Sequence, residues 1–218
     1  MTTALAPQPT ISGAPRRAPR TATRRKREQL LAKAAALIAQ RGYEAMSMRD
    51  LSAALDVSLA GMYHYFTSKE DLLFQLQRES FQSLLDHQSA IAAEPATPEE
   101  RLRRLIVGHL AFYASHTDEL KVCTFELESL NGDLYATVHE VRRRYYRHMT
   151  SAVSAVMDGP GTRRVPSRRA QHAALFIFGM LNWIFMWYDA ARHGSVGQIG
   201  EEMFSLVQHG LRKGRRSA

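Results

Sequence analysis

Apolar positions recur at helical spacing almost throughout the chain, and no stretch of useful length alternates as a strand does. From Arg24 to Arg41, Leu30, Ala34, Leu37 and Ile38 share one face, and Gly42 stands where a C-cap is needed. Ser47 and Asp50 then have capping-box spacing, and Met48, Leu51 and Leu55 form the inward stripe of a short helix that Asp56 ends. The turn that follows calls for positive φ, which Gly adopts freely and Asp at modest cost. Val57 fills the corner, and Ser58 caps a second short helix, Leu59 to Phe66. Met62 and Phe66 share its inner face, leaving Tyr63 and His64 outward. Ser68 and Asp71 repeat the capping spacing ahead of Leu72, Leu73 and Leu76, and the stripe continues to Phe81, Leu84 and Leu85. Two short helices at a tight turn, followed by a third over residues 47 to 73, have the form of a helix-turn-helix DNA reader.

Ala92 to Pro98 reads as a linker, and Thr97-Pro98-Glu99-Glu100 as a strong helix start, with cap, first-turn Pro and N3 acid together. The helix to about Ser115 is predicted to bury Leu102, Leu105, Ile106, Leu110 and Phe112. Further helices are predicted over Asp118 to Glu128 and Asp133 to Met157, separated by Asn131-Gly132 and stopped by Asp158-Gly159-Pro160-Gly161. Ser167 caps the next, whose stretch Ala173 to Tyr188 has only Asn182 as a clearly polar residue, and an amphipathic helix closes the series from Val196 to Arg212. The fold class is therefore all-α, with about nine helices. A disordered basic arm (1–23) precedes a three-helix DNA-binding domain (24–85) and a larger helical domain (90–213). The apolar run, short of the ~20 residues a bilayer span needs, is assigned to protein burial, and no membrane partner is expected.

Arg-Gly-Tyr (41 to 43), Met-Arg-Asp-Leu (48 to 51) and Tyr-His-Tyr-Phe-Thr-Ser-Lys-Glu-Asp-Leu (63 to 72) resemble the N-terminal domain of TetR-type regulators, over roughly residues 24 to 84. The resemblance implies a homodimeric transcription factor, usually a repressor, that sets its second helix-turn-helix helix in the major groove of double-stranded operator DNA. It also implies a C-terminal domain that holds an inducing ligand, and a four-helix dimer interface made by the last two helices and their copies. Carried over, Arg49 would reach a base edge or phosphate, Tyr63 and Lys69 would hold phosphates, and Ser58, Leu59 and His64 would lie against the groove. Ser47, Ala60 and Gly61 complete the DNA-facing set. Two positions depart from the pattern: Asp56 stands where Gly is usual, and Gly61 where Thr or Ser often contacts phosphate.

Charge sharpens the picture through its distribution. The chain of 218 residues carries a net +8, yet seven basic residues without an acid lie in residues 1–27, and Arg212, Lys213, Arg215 and Arg216 lie near the other end. These eleven exceed the net charge, so the chain between them, the reading domain included, is slightly acidic. The arm has two open readings: a contact along the DNA backbone or minor groove, or a solvated tail. No apolar secretory core precedes it, and a cytoplasmic, nucleoid-associated protein is expected. The single cysteine, Cys123, excludes an internal disulfide framework and fits a reducing compartment as a small buried residue.

The second half is crowded with residues able to line a cavity for a bulky apolar ligand: Phe112, Tyr113, Phe125, Tyr145, Tyr146 and Met149 in its first part, and Asn182, Trp183, Met186 and Trp187 in the apolar run. Core packing or dimer contact is the competing account of most of them. Asn182, an amide in apolar surroundings, needs a partner in its dimer mate, the backbone or a ligand. Arg142, Arg143, Arg144 and Arg147, with Arg163, Arg164, Arg168 and Arg169, form either a solvated face, with Glu140 pairing to Arg144, or a phosphate-binding rim. Phe-Glu-Leu-Glu-Ser-Leu (125 to 130), Arg-Arg-Arg-Tyr-Tyr (142 to 146) and Gly-Met-Leu-Asn-Trp-Ile-Phe-Met-Trp-Tyr (179 to 188) resemble acyl-CoA-responsive TetR regulators of lipid, steroid or aromatic-acid catabolism. That resemblance implies a small-molecule effector, an acyl-CoA among the candidates. The alternative is a DNA-bound protein of the same fold controlled by a protein partner with no inducer. Nine histidines show no His-Glu-x-x-His pairing, and neither a Gly-rich phosphate loop nor Gly-x-Ser-x-Gly occurs, so no enzyme, metal or cofactor is expected.

Overall fold

The structure is a computed structural model, and it describes residues 19–159 and 165–213. Arg16, Arg17, Arg163, Arg164, Arg215 and Arg216, with most of the basic arm, lie outside the described residues. Ten α-helices occur among those described: α1 (Pro19–Arg41), α2 (Met48–Ala54), α3 (Leu59–Tyr65), α4 (Lys69–Ala93), α5 (Pro98–Ala114), α6 (Thr117–Phe125), α7 (Gly132–Asp158), α8 (Arg168–Asn182), α9 (Ala190–His193) and α10 (Val196–Lys213). The first starts at Pro19, five residues inside the stretch expected to be a disordered arm. No described helix is long and apolar enough to cross a membrane.

Local chemistry sets most of the boundaries. The hydroxyls of Ser47, Ser58, Ser68, Thr97 and Ser167 each accept the backbone N–H of the third residue on, satisfying one donor that a helix start leaves unpaired. At α2 the box closes, with the Ser47 N–H donating to Asp50 Oδ2 at 2.8 Å. At α5 it does not: Glu100, the expected acid, turns instead to Arg103 and Arg104. Gly42 ends α1 at φ +83° and donates to Ile38 O at 2.8 Å. Asp56 is the one non-Gly residue described with positive φ, at +53°, as its place between α2 and α3 demands.

One buried apolar cluster runs through the helices. In the N-terminal part Leu30, Ala34, Leu51, Met62 and Phe66 are essentially inaccessible, and α4 carries the cluster on through Phe81, Leu84 and Leu85. Helix α4 packs against α1 on one side and against α5, α6 and α7 on the other, while α10 packs on α5 and α8 on α7. Together with the packing of α1 on α6, α4 connects the two halves.

The apolar run Ala173 to Tyr188 is not one helix. It stops at Asn182, continues as a single 3-10 turn over Ile184–Met186, and reaches α9, the helix the sequence did not announce. Bulky aromatic and β-branched residues over Trp183 to Phe185 lose rotamer freedom in a helix. Asp189 offers a better local alternative, its carboxylate accepting from the Ala191 and Arg192 N–H groups at 2.8 and 3.2 Å to start α9.

Candidate nucleic-acid interface and ligand cavity

The outer face of α3 carries Ala60, Tyr63 and His64 in solvent, with Leu59 and Gly61 partly covered, and Arg49 is exposed on neighbouring α2. Ser58 and Ser47 lie on the same side with their hydroxyls held by the caps. An open hollow of about 580 Å³ brings together Ser47, Tyr63 and Lys69 at the start of α4, with Thr67 and Ser68 between them. A helix N-terminus, an ammonium and two hydroxyl groups are offered there to a phosphate oxygen, beside the carboxylates of Glu44 and Asp50, of which Asp50 is engaged with Ser47.

Lys69 is oriented from below. Its Nζ donates to Tyr43 O at 3.1 Å, lies 4.0 Å above the Tyr43 ring and is 3.9 Å from Glu44 Oε2. The ammonium still has protons to offer outward. Burial pushes the Tyr43 hydroxyl up to about 12, helped by the charges of Glu44, Glu70 and Glu126, so it remains a neutral platform.

Gly61 has a packing reason that the sequence hides. A Cβ at this position would stand 2.9 Å from Val57 Cγ1 and 3.1 Å from Ser58 Oγ. Val57 fills the corner between the helices, and its side chain is stiff about χ1. We expect Gly61→Thr to lower stability by about 1 kcal/mol, overpacking outweighing the gain in helix propensity. Urea denaturation checks this, and a variant more stable than the parent would contradict it.

In the C-terminal half the helices enclose a cavity of about 550 Å³. Phe81 and Leu84 of α4 and His109 and Tyr113 of α5 form one side. Leu120, Cys123 and Thr124 of α6, with Leu127 just beyond it, form the second. Helix α7 supplies Tyr135, His139, Arg142, Arg143, Tyr145 and Tyr146, and α8 supplies Leu175, Phe178 and Asn182. The exposed Tyr135, His139 and Arg143 mark the mouth, and the buried His109, Tyr113 and Tyr145 the interior. Arg142 lies across the Phe81 ring, 5.1 Å from its centre.

Four of the ten residues offered by the sequence for a ligand, Tyr113, Tyr145, Tyr146 and Asn182, line this cavity. The other six stand elsewhere. Met149 is wholly buried in the core, and Phe112 is half-buried and stacked on His116 at 4.4 Å instead of buried as predicted. Phe125, 57% exposed, meets Trp183 and Phe185 edge-on outside the cavity, and the break after Asn182 turns Trp183, Met186 and Trp187 to the surface. The arginine group also divides: Arg142 and Arg143 border the cavity, while Arg144 and Arg147 line a separate hollow with Arg101 and His148. Glu140 pairs with Arg143 and Arg147, one turn and two turns on, not with Arg144 as predicted.

His109 is the residue that sequence reasoning missed. Only its place on the buried stripe of α5, between Leu105, Ile106 and Tyr113, points to it. Its Nδ1 is 2.7 Å from the Tyr145 hydroxyl, and its Nε2 has no hydrogen-bond partner. Burial pulls its pKa down to about 3, against the weaker opposing influence of the nearby Asn182 amide, so the imidazole is neutral. Burial likewise pushes the Cys123 thiol up to about 12, keeping it protonated and unreactive.

Two links join the cavity wall to the DNA-facing half. Glu126, between Thr124 and Leu127, accepts the Tyr43 N–H at 3.1 Å through Oε1, and its carbonyl accepts from Gln77 Nε2 of α4 at 2.9 Å. Tyr43 is the residue on whose carbonyl Lys69 rests. One short path therefore connects Thr124 and Leu127, at the cavity, with the candidate phosphate-binding hollow.

Residues 30–76 match the family described as bacterial regulatory proteins, tetR family, and residues 95–211 match the tetracyclin repressor-like C-terminal domain. The chain is 26% identical over 189 residues to the HTH-type transcriptional repressor KstR2 of Mycobacterium tuberculosis, covering 86% of this chain and 94% of that protein. It is also similar to a TetR-family regulator from Bordetella parapertussis, at 26% identity and a TM-score of 0.77, covering 84% of this chain and 93% of the other. A further solved relative is AibR in complex with isovaleryl coenzyme A and operator DNA, at 26% identity and a TM-score of 0.72, covering 83% and 97% of the two chains. With both halves matched and the helix-turn-helix in place, the chain belongs to the TetR family and is a DNA-binding transcriptional regulator.

Proposed function

We propose that the protein is a homodimeric repressor that leaves its operator when an apolar, CoA-linked acyl group enters the cavity. The observation that carries this reading is the cavity itself: lined largely by apolar and aromatic side chains with a few buried polar groups, with Arg142 and Arg143 on its α7 wall, and walled in part by the segment that holds Tyr43. A long tail would be desolvated against Leu84, Leu120, Leu127 and Phe178, while anionic parts remain near arginine and solvent. AibR, crystallised with an acyl-CoA and operator DNA, supports the choice of effector class. Dimerisation is supported by an apolar groove of about 410 Å³ between α8 and α10, where Phe176 and Leu206 are 71% and 67% exposed beside Met180 and Ala173.

An effector shifts the DNA-binding equilibrium only by its differential affinity for the two states. Displacing the turn after α6 moves the Glu126 carboxylate that holds Tyr43, and with it the support of Lys69 and the packing of α1 on α6. Two subunits held at a different separation would no longer match two half-sites one helical turn apart.

Titration of the purified protein on its own promoter DNA, at fixed salt, with acyl-CoAs of increasing chain length tests the proposal. Release of the DNA at micromolar concentrations of some member is expected. DNA binding unchanged across the series, with no CoA ester retained in native mass spectrometry, would overturn it.

A further inference from the structure

Three hydroxyl or imidazole groups meet in the cavity, and their hydrogen bonds do not balance. Tyr145 and His109 satisfy each other at 2.7 Å, but His109 Nε2 and the Tyr113 hydroxyl, both shielded from water, have no partner in hydrogen-bond geometry, the Asn182 amide standing near the imidazole without closing a bond to it. Leaving such groups unpaired costs the full desolvation penalty, so each unpaired group in a native fold calls for an explanation. The protonation pattern follows by counting. If Tyr145 donates to Nδ1, its own proton is used and Nε2 carries the ring proton. The reverse arrangement would leave the buried Tyr145 O–H without an acceptor as well. Nε2 is therefore a donor, and Tyr113, one turn further along α5 with its ring centre 4.9 Å from that of His109, presents a second.

We infer that His109 Nε2–H and the Tyr113 hydroxyl are the specificity determinants of the cavity, donating hydrogen bonds to a neutral carbonyl oxygen of the bound ligand. The inference rests on the effector reading above. A carbonyl fits because the two donors are themselves neutral, burial keeping the imidazole uncharged, and the one cation whose charge is felt at Tyr113, Arg142, is laid over the Phe81 ring. Arg143, exposed on α7 beside Tyr135 and His139, reserves the anionic end of the ligand for the mouth. Leu84, Leu120 and Phe178 receive the hydrocarbon. A thioester and a ketone share this acceptor chemistry.

Three matched probes separate the possibilities: octanoyl-CoA, its thioether S-octyl-CoA, which lacks the carbonyl, and the ketone S-(2-oxononyl)-CoA, in which a methylene separates sulfur from carbonyl. Calorimetry on the wild-type protein is expected to find the thioester, the ketone or both at least about tenfold tighter than the thioether. Which of the two gains identifies the source of the oxygen. In Tyr113→Phe that advantage shrinks about tenfold, thioether affinity is unchanged, and the melting temperature equals or exceeds the parent's because an unpaired buried hydroxyl is gone. All three probes binding equally well overturns the inference and leaves the effector reading intact. So does a Tyr113→Phe protein that melts lower with its carbonyl preference unchanged, since that marks a structural hydroxyl. Binding of none of the three overturns the effector reading for this class, and the inference with it.

Discussion

Phe66→Ala is expected to lower unfolding stability by about 3–5 kcal/mol and to abolish operator binding near physiological temperature. Phe66 is inaccessible to solvent at the C-terminus of α3, where the chain turns extended, and belongs to the same buried cluster as Met62 and Leu51. Helices α2 and α3 are seven residues each, too short to persist alone, so tertiary burial sets their relative angle. Against a total stability of about 5–15 kcal/mol, losing this ring removes much of the margin that keeps the reading head assembled. Urea denaturation at fixed protein concentration measures the loss, and anisotropy with promoter DNA measures its consequence. A loss below about 1 kcal/mol would show that the corner repacks without the ring.

Removing a carboxylate should instead leave the fold and both ligands in place while disconnecting them. Glu126→Ala deletes the acceptor for the Tyr43 N–H but leaves the main-chain carbonyl that Gln77 holds. Coupling between an effector and a DNA site is commonly worth about 1–3 kcal/mol, a 5- to 150-fold change in affinity. In this variant the effector is expected to bind within about threefold of the parent, and the loss of DNA affinity it causes should fall below about fivefold. Glu126→Gln, which keeps an oxygen for the Tyr43 N–H, should restore most of the response. DNA titrations with and without saturating effector decide the matter, and a full response from the alanine variant would remove Glu126 from the pathway.

These two residues illustrate what a single sequence discloses and what it conceals. Phe66, the caps at Ser47, Ser58, Ser68, Thr97 and Ser167, and the positive φ at Asp56 all follow from rules acting over a few residues, so they are legible in the order of the residues alone. Glu126 and Tyr43 are 83 positions apart, and nothing local to either announces the other. The cavity is harder still, since five helices each lend it a few side chains. Periodicity reports that Trp183, Met186 and Phe125 are apolar, but it does not distinguish the wall of a cavity from a surface turned outward. The end of α8 at Asn182 decides that difference, and it falls inside an apolar run with no Gly or Pro at the break to announce it. His109 is hidden for the opposite reason. A lone polar residue on an apolar stripe reads as a satisfied core group, and only three-dimensional accounting shows that half of its ring is unsatisfied.

The placement of Cys123 has a practical consequence. The only thiol in the chain stands in the cavity wall, shielded from solvent and held protonated by its surroundings. Its alkylation by a small, uncharged reagent therefore records how often that wall opens, with no competing site and no engineered label. The protein carries its own chemical clock at the place where an occupant would stop it, and the interval it keeps is the breathing time of the cavity.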